Sequence, residues 1–388
     1  MKFLTANRGH ICSDGGNMKK TACLLLAICL ILPTLSACSD KSEPFVMSYG
    51  TYGITEKQYT YWLSYYKTTF YSALEDYAQT GEEYTEQFWL TETDEGVLWE
   101  LTRIKAEDYM KKLVVSLYLF DHYGLDDIEG TREQIKISVD ECIADDIAAL
   151  GARSTLNEAL SAYKMNISDL EDMYRIEIKR SMLEEYLYGS GGKTPLTDED
   201  KEAYYNETYV RVKHILINTV DKYVLDDEGE RIIDTSTGYY KTEKLTDAEK
   251  AEKKALASTV LQKAENGEDF EELIEQYNED EGMTYYTDGY FLTKDSAYEK
   301  AFLNAAIELQ AGQIKSVESA YGIHIIKKYA LEKGAYLKDI NKNFFSELED
   351  DALTDKKEKM FSEYSVEIHR ALEWETFSQC PLMDRSLI

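Results

Sequence analysis

Two histidines offer the first chemistry in this chain. His214 sits in Val210-Arg211-Val212-Lys213-His214-Ile215-Leu216-Ile217, and His324 in Tyr321-Gly322-Ile323-His324-Ile325-Ile326-Lys327. Both runs are β-branched, as strands are. Only five histidines occur in 388 residues. Side chains alternate along a strand, so His214 faces away from Lys213 and Ile215, and His324 away from Ile323 and Ile325. If the two strands are sheet neighbours, two imidazoles can meet inside one apolar sheet. The other reading is two unrelated core histidines, each satisfied locally.

The elements that must position them lie between. After the first strand and a segment at 219–247, a helix runs into Gly267-Glu268-Asp269-Phe270-Glu271-Glu272-Leu273. Tyr277-Asn278-Glu279-Asp280 follows, then Asp288-Gly289-Tyr290-Phe291. Phe302 and Ala305-Ala306 open a further helix that ends at Leu309-Gln310-Ala311-Gly312, and Val317-Glu318-Ser319-Ala320 leads into the second histidine. In this order, from about Tyr209 to Tyr329, the motifs resemble the parvulin family of peptidyl-prolyl cis–trans isomerases. The resemblance implies an α+β fold, with a small antiparallel sheet flanked by helices.

It also implies a site. His214 and His324 would be its paired floor, and Asp280 the carboxylate near the substrate carbonyl. Phe291 and Phe302 would wall the proline pocket, with Tyr298 and Tyr321 at further substrate-binding positions. Three residues depart from the family pattern. Asp288 replaces a Leu at the pocket edge, Tyr298 a Met and Tyr321 a Ser. Over apolar surface Asp280 would have a raised pKa; the other reading, from Glu279 and Glu281 beside it, is a solvated loop acid. The chemistry is rotation about a prolyl bond, whose barrier is about 18–20 kcal/mol because resonance stiffens the C–N bond. A pocket that dries the carbonyl and grips the ring lowers that barrier. No nucleophile, metal or cofactor is required.

The N-terminus carries a second signal. Met18-Lys19-Lys20, the apolar run from Ala22 to Leu32 and Leu35-Ser36-Ala37-Cys38 form a charged, an apolar and a small-residue region, as in a signal peptide. Leu-Ser-Ala-Cys resembles the bacterial lipobox, which implies cleavage before Cys38 and its lipidation, with Met18 as the start. The whole chain has a net charge of −30, and the leader itself is basic, so the mature chain is more acidic still. That excludes nucleic acid, whose phosphates need Lys and Arg, and electrostatic adhesion to anionic lipid. Beyond Cys38 only Cys142 and Cys380 remain, too few for a disulfide framework or a Cys-based metal site.

The rest is mainly helical. Phe45 to Tyr52 suggests one short strand. Thr55-x-x-Gln58 then resembles a capping box, followed by Tyr59, Trp62, Leu63, Tyr66, Phe70, Leu74 and Tyr77 on one helix face. Further helices fit 95–122, 131–150 and 154–164, and one capped by Ser168-x-x-Glu171 reaches Tyr188. Gly189-Ser190-Gly191-Gly192 marks a linker. The spacing of Ile340, Phe344, Phe345 and Leu348 predicts a C-terminal helix. Residues 45–190 are thus expected to be a helical, chaperone-like domain and 205–332 the parvulin domain. Residues 333–375 would return to the N-terminal domain, and 376–388 would be a disordered tail. In the 219–247 segment, Asp226-Asp227-Glu228-Gly229-Glu230-Arg231 is a turn in an inserted hairpin or mobile loop. It lacks the basic cluster with which phospho-specific parvulins hold phosphate. The chain has 31 Tyr and 12 Phe, and adjacent pairs such as Tyr65-Tyr66 and Tyr204-Tyr205 cannot both point inward on one helix face. Part of the aromatic area is therefore expected to face solvent or a groove, and that of 45–190 to hold clients. An aromatic helical domain beside a parvulin domain is similar to PrsA-type and SurA-type foldases. That likeness implies an isomerase, lipid-anchored on the extracytoplasmic face of a bacterial membrane, acting on unfolded or partly folded secreted polypeptides with Xaa-Pro bonds, and leaves a homodimer open. The alternative is a non-catalytic holdase with a degenerate parvulin domain.

Overall fold

The computed structural model describes residues 44–78 and 86–383. Met18, Cys38 and the rest of the leader lie outside the described residues, as do residues 384–388 and the side chains of Leu74 and Tyr77. The chain forms two compact units. One joins residues up to Pro195 with those from Lys359 onward, and the other is Leu196–Glu358.

The first unit opens with a hairpin, β1 (Phe45–Tyr49) and β2 (Tyr52–Thr55), where one strand was expected. The Thr55 N–H donates to Gln58 Oε1 at 2.9 Å and the Gln58 N–H to Thr55 Oγ1 at 3.4 Å, which starts α1 (Glu56–Ala78). Next come α2 (Glu86–Trp89), the two-residue strands β3 (Glu92–Thr93) and β4 (Gly96–Val97), and α3 (Leu98–His122). The helices α4 (Thr131–Leu150), α5 (Arg153–Ser161) and α6 (Ile167–Tyr188) complete this stretch. Tyr59, Leu63 and Phe70 of α1 are buried with Trp89, Met110 and Leu113. The cap of α6 is Asn166, not Ser168. Its side chain accepts from the Ser168 and Asp169 N–H groups, and Asp169 accepts from the Asn166 N–H. An Asn–Asp pair closes the capping box as well as Ser–Glu does. After α6 the glycine run doubles back. The Lys193 N–H reaches Tyr186 O at 2.9 Å and the Thr194 N–H reaches Leu187 O at 2.7 Å, so the last helix carbonyls are satisfied.

The second unit runs α7 (Asp198–Thr208), β5 (Val210–Ile217), β6 (Asp221–Tyr223), β7 (Thr242–Lys244), α8 (Asp247–Glu265), α9 (Phe270–Tyr277), α10 (Gly282–Tyr285) and β8 (Tyr290–Leu292). Then come α11 (Lys300–Glu308), β9 (Ile314–Ser319) and β10 (Gly322–Tyr329). The sheet order is β8-β5-β10-β9, antiparallel throughout. Ile215, Ile217 and Ile325 pack with Val260 and Leu273 of α8 and α9. Val212 and Ile326, on the other face, pack with Phe302, Leu303 and Ala306 of α11. The fold class is the α+β arrangement expected. No helix among the described residues is long and apolar enough to cross a membrane.

The C-terminal region departs from expectation in two places. From Lys359 it does belong to the first unit, where Phe361 is buried, but residues around Ile340–Phe345 are not part of a helix that returns there. They form 3-10 turns, Ala335–Leu337 and Asp339–Phe344, before α12 (Leu348–Ser362). The Asn341 amide, donating to Ala335 O and Asp288 Oδ2 at 3.0 Å each, holds the turns and interrupts the helical period. Phe345 and Leu348 are buried with Tyr205, Tyr209 and Phe291 inside the second unit, which therefore extends beyond 205–332 at both ends. Nor is the chain disordered from residue 376. β11 (Glu367–Ile368) pairs with β1, and α13 (Trp374–Gln379) buries Phe377, Cys380 and Met383 in the first unit. The cation of the buried Lys67 donates to Phe377 O at 2.9 Å and Cys380 O at 2.5 Å, so a polar group in α1 fixes a segment whose sequence shows no helical stripe. Cys142 and Cys380 are both buried and are not joined to each other.

Candidate functional site

β5 and β10 are direct neighbours. His214 stands opposite Ile326 and His324 opposite Leu216, so the histidines are diagonal partners on one face. Their rings lie 5.2 Å apart and 11° from parallel, with Nδ1 atoms at 3.0 Å, and both are buried. Gly322 makes the approach. It has φ +139°, and a Cβ there would lie 2.3 Å from Ile217 O, so only glycine lets β10 begin this close to the end of β5.

The hydrogen bonds form one chain. The Tyr321 N–H donates to Ser319 Oγ at 3.0 Å, and Ser319 Oγ lies 2.8 Å from His324 Nε2. The two Nδ1 atoms meet, and His214 Nε2 lies 2.7 Å from Asp280 Oδ2. The Tyr290 hydroxyl donates to the same Oδ2 at 2.6 Å. The ends dictate the direction. An ionised carboxylate only accepts, so His214 carries its proton on Nε2 and offers a bare Nδ1. His324 must then donate from Nδ1 and accept at Nε2 from the Ser319 hydroxyl. Every member is satisfied with both imidazoles neutral. This network joins His214, His324 and Asp280, the three residues the resemblance paired, and adds Ser319 and Tyr290, which the sequence reading missed.

The loop that carries Asp280 is held from several sides. Asn278 Oδ1 accepts from the Leu216 and Asp280 N–H groups at 2.9 and 3.1 Å, and its amide donates to Asp280 O at 2.6 Å. Glu279 accepts from the Asn218 N–H at 2.6 Å and pairs with Lys253, so it is no idle loop acid. Gly282 donates its N–H to Asp280 Oδ1 at 3.1 Å, and a Cβ there would fall 2.0 Å from the Tyr290 hydroxyl oxygen. Asn278 and Asp280 form an Asx-turn signature that could have located this loop.

The pocket wall differs from expectation. Phe302 stands with its ring 4.9 Å from that of His214 and 5.1 Å from that of His324. Tyr298 contacts it at 5.9 Å and Tyr290 at 5.6 Å. Phe291 is not in the wall. Opposite Arg211 in the β5–β8 register, it faces the other side of the sheet and packs with Tyr205 and Phe345. Strand alternation puts Tyr290, opposite Val212, on the histidine face instead. Tyr321 joins the network through its backbone alone, and its side chain is 63% exposed. Asp288 leaves no bare charge at the pocket edge. Its carboxylate accepts from Lys338 at 2.7 Å and Asn341 at 3.0 Å, and these bonds hold its pKa below the usual range.

The electrostatics also reverse one expectation. Burial pushes Asp280 up, but the hydrogen bonds from His214, Tyr290 and the Gly282 N–H outweigh it and hold the carboxyl at about 2. It is ionised at neutral pH. Burial, with the neighbouring His214, lowers His324 to about 4 against the opposing pull of Asp280 and Glu299.

The sequence pattern described as the PPIC-type PPIASE domain matches residues 199–330. That stretch is a parvulin-type domain. Foldase protein PrsA of Bacillus subtilis (strain 168) is 35% identical over 103 residues, 26% of this chain and 35% of that protein. Foldase protein PrsA 3 of Bacillus cereus is 26% identical over 238 residues, 61% of this chain and 65% of that protein, and its Bacillus anthracis counterpart is 28% identical over 236. The chain thus spans about one third to two thirds of the length of the curated relatives it matches. A crystal structure of PrsA from Bacillus subtilis aligns over 76% of this chain and 99% of its own, with 20% identity and a TM-score of 0.23. The matched stretch contains the whole histidine network.

Proposed function

We propose that the chain is a peptidyl-prolyl cis–trans isomerase foldase acting on unfolded or partly folded polypeptides. One observation carries this reading: the unbroken chain from Tyr321 through Ser319, His324 and His214 to Asp280, beside the Phe302 ring. A planar amide places partial negative charge on its oxygen through resonance, and the twisted amide loses that charge. A fixed carboxylate and a dry aromatic wall therefore oppose the planar state more than the twisted one. His214 holds Asp280 in place, His324 fixes the tautomer of His214, and Phe302, Tyr298 and Tyr290 form the wall for the proline ring. In this reading Tyr321 contributes through its backbone, and Phe291 supports β8 from behind.

The finer parts follow from the leader. Cleavage before Cys38 and its lipidation would retain the protein on the extracytoplasmic face of a cell membrane, where its clients would be secreted chains. The second unit would carry isomerisation and the first a helical chaperone-like role. A protease-coupled prolyl isomerisation assay on the chain without residues 1–38 tests the activity. Acceleration that His214→Ala lowers about 10- to 100-fold supports the reading, and a wild-type rate equal to the uncatalysed one overturns it. Loss of fatty-acid labelling in Cys38→Ala tests the anchor.

A further inference from the structure

The arm between β5 and α8 lies outside the histidine network yet is built as carefully. β6 and β7 form its base, and Leu225 pairs with Arg231 and Ile233 with Tyr240 beyond them. Both turns are locked. Asp226 Oδ1 accepts from the Glu228 and Glu230 N–H groups at 3.0 and 2.8 Å, and Asp234 Oδ1 from the Ser236 N–H at 2.8 Å. Arg231 lies over the rings of Tyr223 at 4.0 Å and Tyr240 at 5.3 Å, and its guanidinium pairs with Glu281 at 2.5 Å. Glu281 is the residue after Asp280, so the arm is tied one residue from the site.

Its outer surface combines two properties. Leu225, Ile233 and Tyr240 are exposed, and Tyr239 is 79% exposed. Its tip, Asp226-Asp227-Glu228-Gly229-Glu230, is acidic, while Lys222 and Arg231 are committed to Glu249 and Glu281. Apolar area beside an acidic tip, with Lys241 and Lys244 toward the base of the arm, suits a partner that is apolar and cationic. A second copy of this chain, at −30, is repelled by the same charge. We infer that the arm docks an extended polypeptide segment bearing bulky apolar side chains and Lys or Arg, adjacent to the proline held at the histidine site. This deepens the isomerase reading and rests on it.

The test uses the chain without residues 1–38 and three peptides. One is a four-residue Xaa-Pro substrate, one a longer peptide with Phe, Leu and three Lys before Xaa-Pro, and one the same with Glu for Lys. Wild type should bind the Lys peptide more tightly than the Glu peptide by fluorescence anisotropy. Ile233→Ser with Tyr239→Ser, both exposed, should raise the Kd of the Lys peptide about tenfold and leave turnover of the short substrate unchanged. Asp227→Lys with Glu228→Lys should reverse the preference. Equal affinity for the two long peptides, or an unaltered Kd in the Ser variant, overturns the inference. So does a dimer in sedimentation velocity that the Ser variant dissolves. The expected Kd pattern without turnover of the short substrate would remove the isomerase reading and leave the docking arm standing.

Discussion

The two units dispose of their aromatic side chains in opposite ways. In the first, Trp62, Tyr65, Tyr66 and Tyr109 pack edge to face or tilted, with centroids 4.9 to 5.7 Å apart. Among the described residues of that unit, the exposed large apolar side chains are aliphatic: Leu90, Ile104, Ile128, Ile137 and Ile368. In the second unit, Tyr223, Tyr239, Tyr240, Tyr285, Tyr298 and Tyr321 are all exposed. Aromatic richness along 45–190 suggested a client-gripping surface there. Adjacent tyrosines such as Tyr65 and Tyr66 instead satisfy each other within layers of rings. The aromatic surface offered to solvent belongs to the unit that carries the histidines. An aromatic count therefore says how much ring area a unit owns, and packing decides which part of it is free to bind.

The contrast can be broken most severely through stability. Phe377 is fully buried, with Trp89 at 5.3 Å and Trp374 stacked at 6.0 Å. Phe377→Ala should cost about 3–5 kcal/mol in urea unfolding, as core Phe truncations do. Tyr239→Ser should stay within about 0.5 kcal/mol of wild type. Comparable losses at both positions would mean that the arm is part of a core and not a surface.

A second effect separates site from scaffold. His214→Ala and His324→Ala should each lower kcat/KM about 10- to 100-fold, since each breaks a buried chain that ends on a charge. The double variant should lose less than the product of the two, because one network is shared. Multiplicative losses would show two independent histidines.

Much of this site was legible because strand alternation and spacing are strong signals. They put each histidine on a defined strand face, and Asp280 entered only through the family resemblance. Alternation applied to Tyr290-Phe291 would also have exchanged those two residues, but the motif drew attention to the phenylalanine. Ser319 escaped because a lone hydroxyl in a strand has no pattern. The C-terminal segment was misread for a different reason. What orders α13 is the Lys67 ammonium and a ring cluster contributed from far along the chain, and a six-residue helix is too short to show a period of its own. In the same way Asn341, through two side-chain bonds, converts an apparent helical stripe into 3-10 turns.

A third effect is titration. His324 is lowered from 6.5 to about 4 by burial and the neighbouring His214. The unfolded chain takes up this proton as pH falls below 6.5, and the folded chain resists until about 4, so stability declines across that window. One proton limits the slope to about 1.4 kcal/mol per pH unit. Asp280, held at about 2 against 3.8, keeps its contribution above 3.8 and loses it as pH falls through about 2. Urea midpoints measured from pH 7 to 4 should therefore fall, and His324→Gln should flatten the decline. An unchanged slope in that variant would show that His324 does not resist protonation.

The smallest effect tests the two faces of one sheet. At the edge of a proline pocket, Asp288 would weaken substrate binding, and Asp288→Leu would raise activity. The structure turns its carboxylate to Lys338 and Asn341, and its carbonyl accepts from Arg211 Nε at 2.6 Å. Arg211 lies on the Phe291 face, behind the histidines. Asp288→Leu should accordingly leave kcat/KM within about twofold while lowering stability by about 0–1 kcal/mol, the scale of a partly exposed ion pair. Tyr298→Leu, on the Phe302 face, is the paired control, and it should change KM for the proline substrate. If Asp288→Leu raises kcat/KM severalfold, the charge reaches the pocket, and the division of this sheet into a chemical face and a supporting face is wrong.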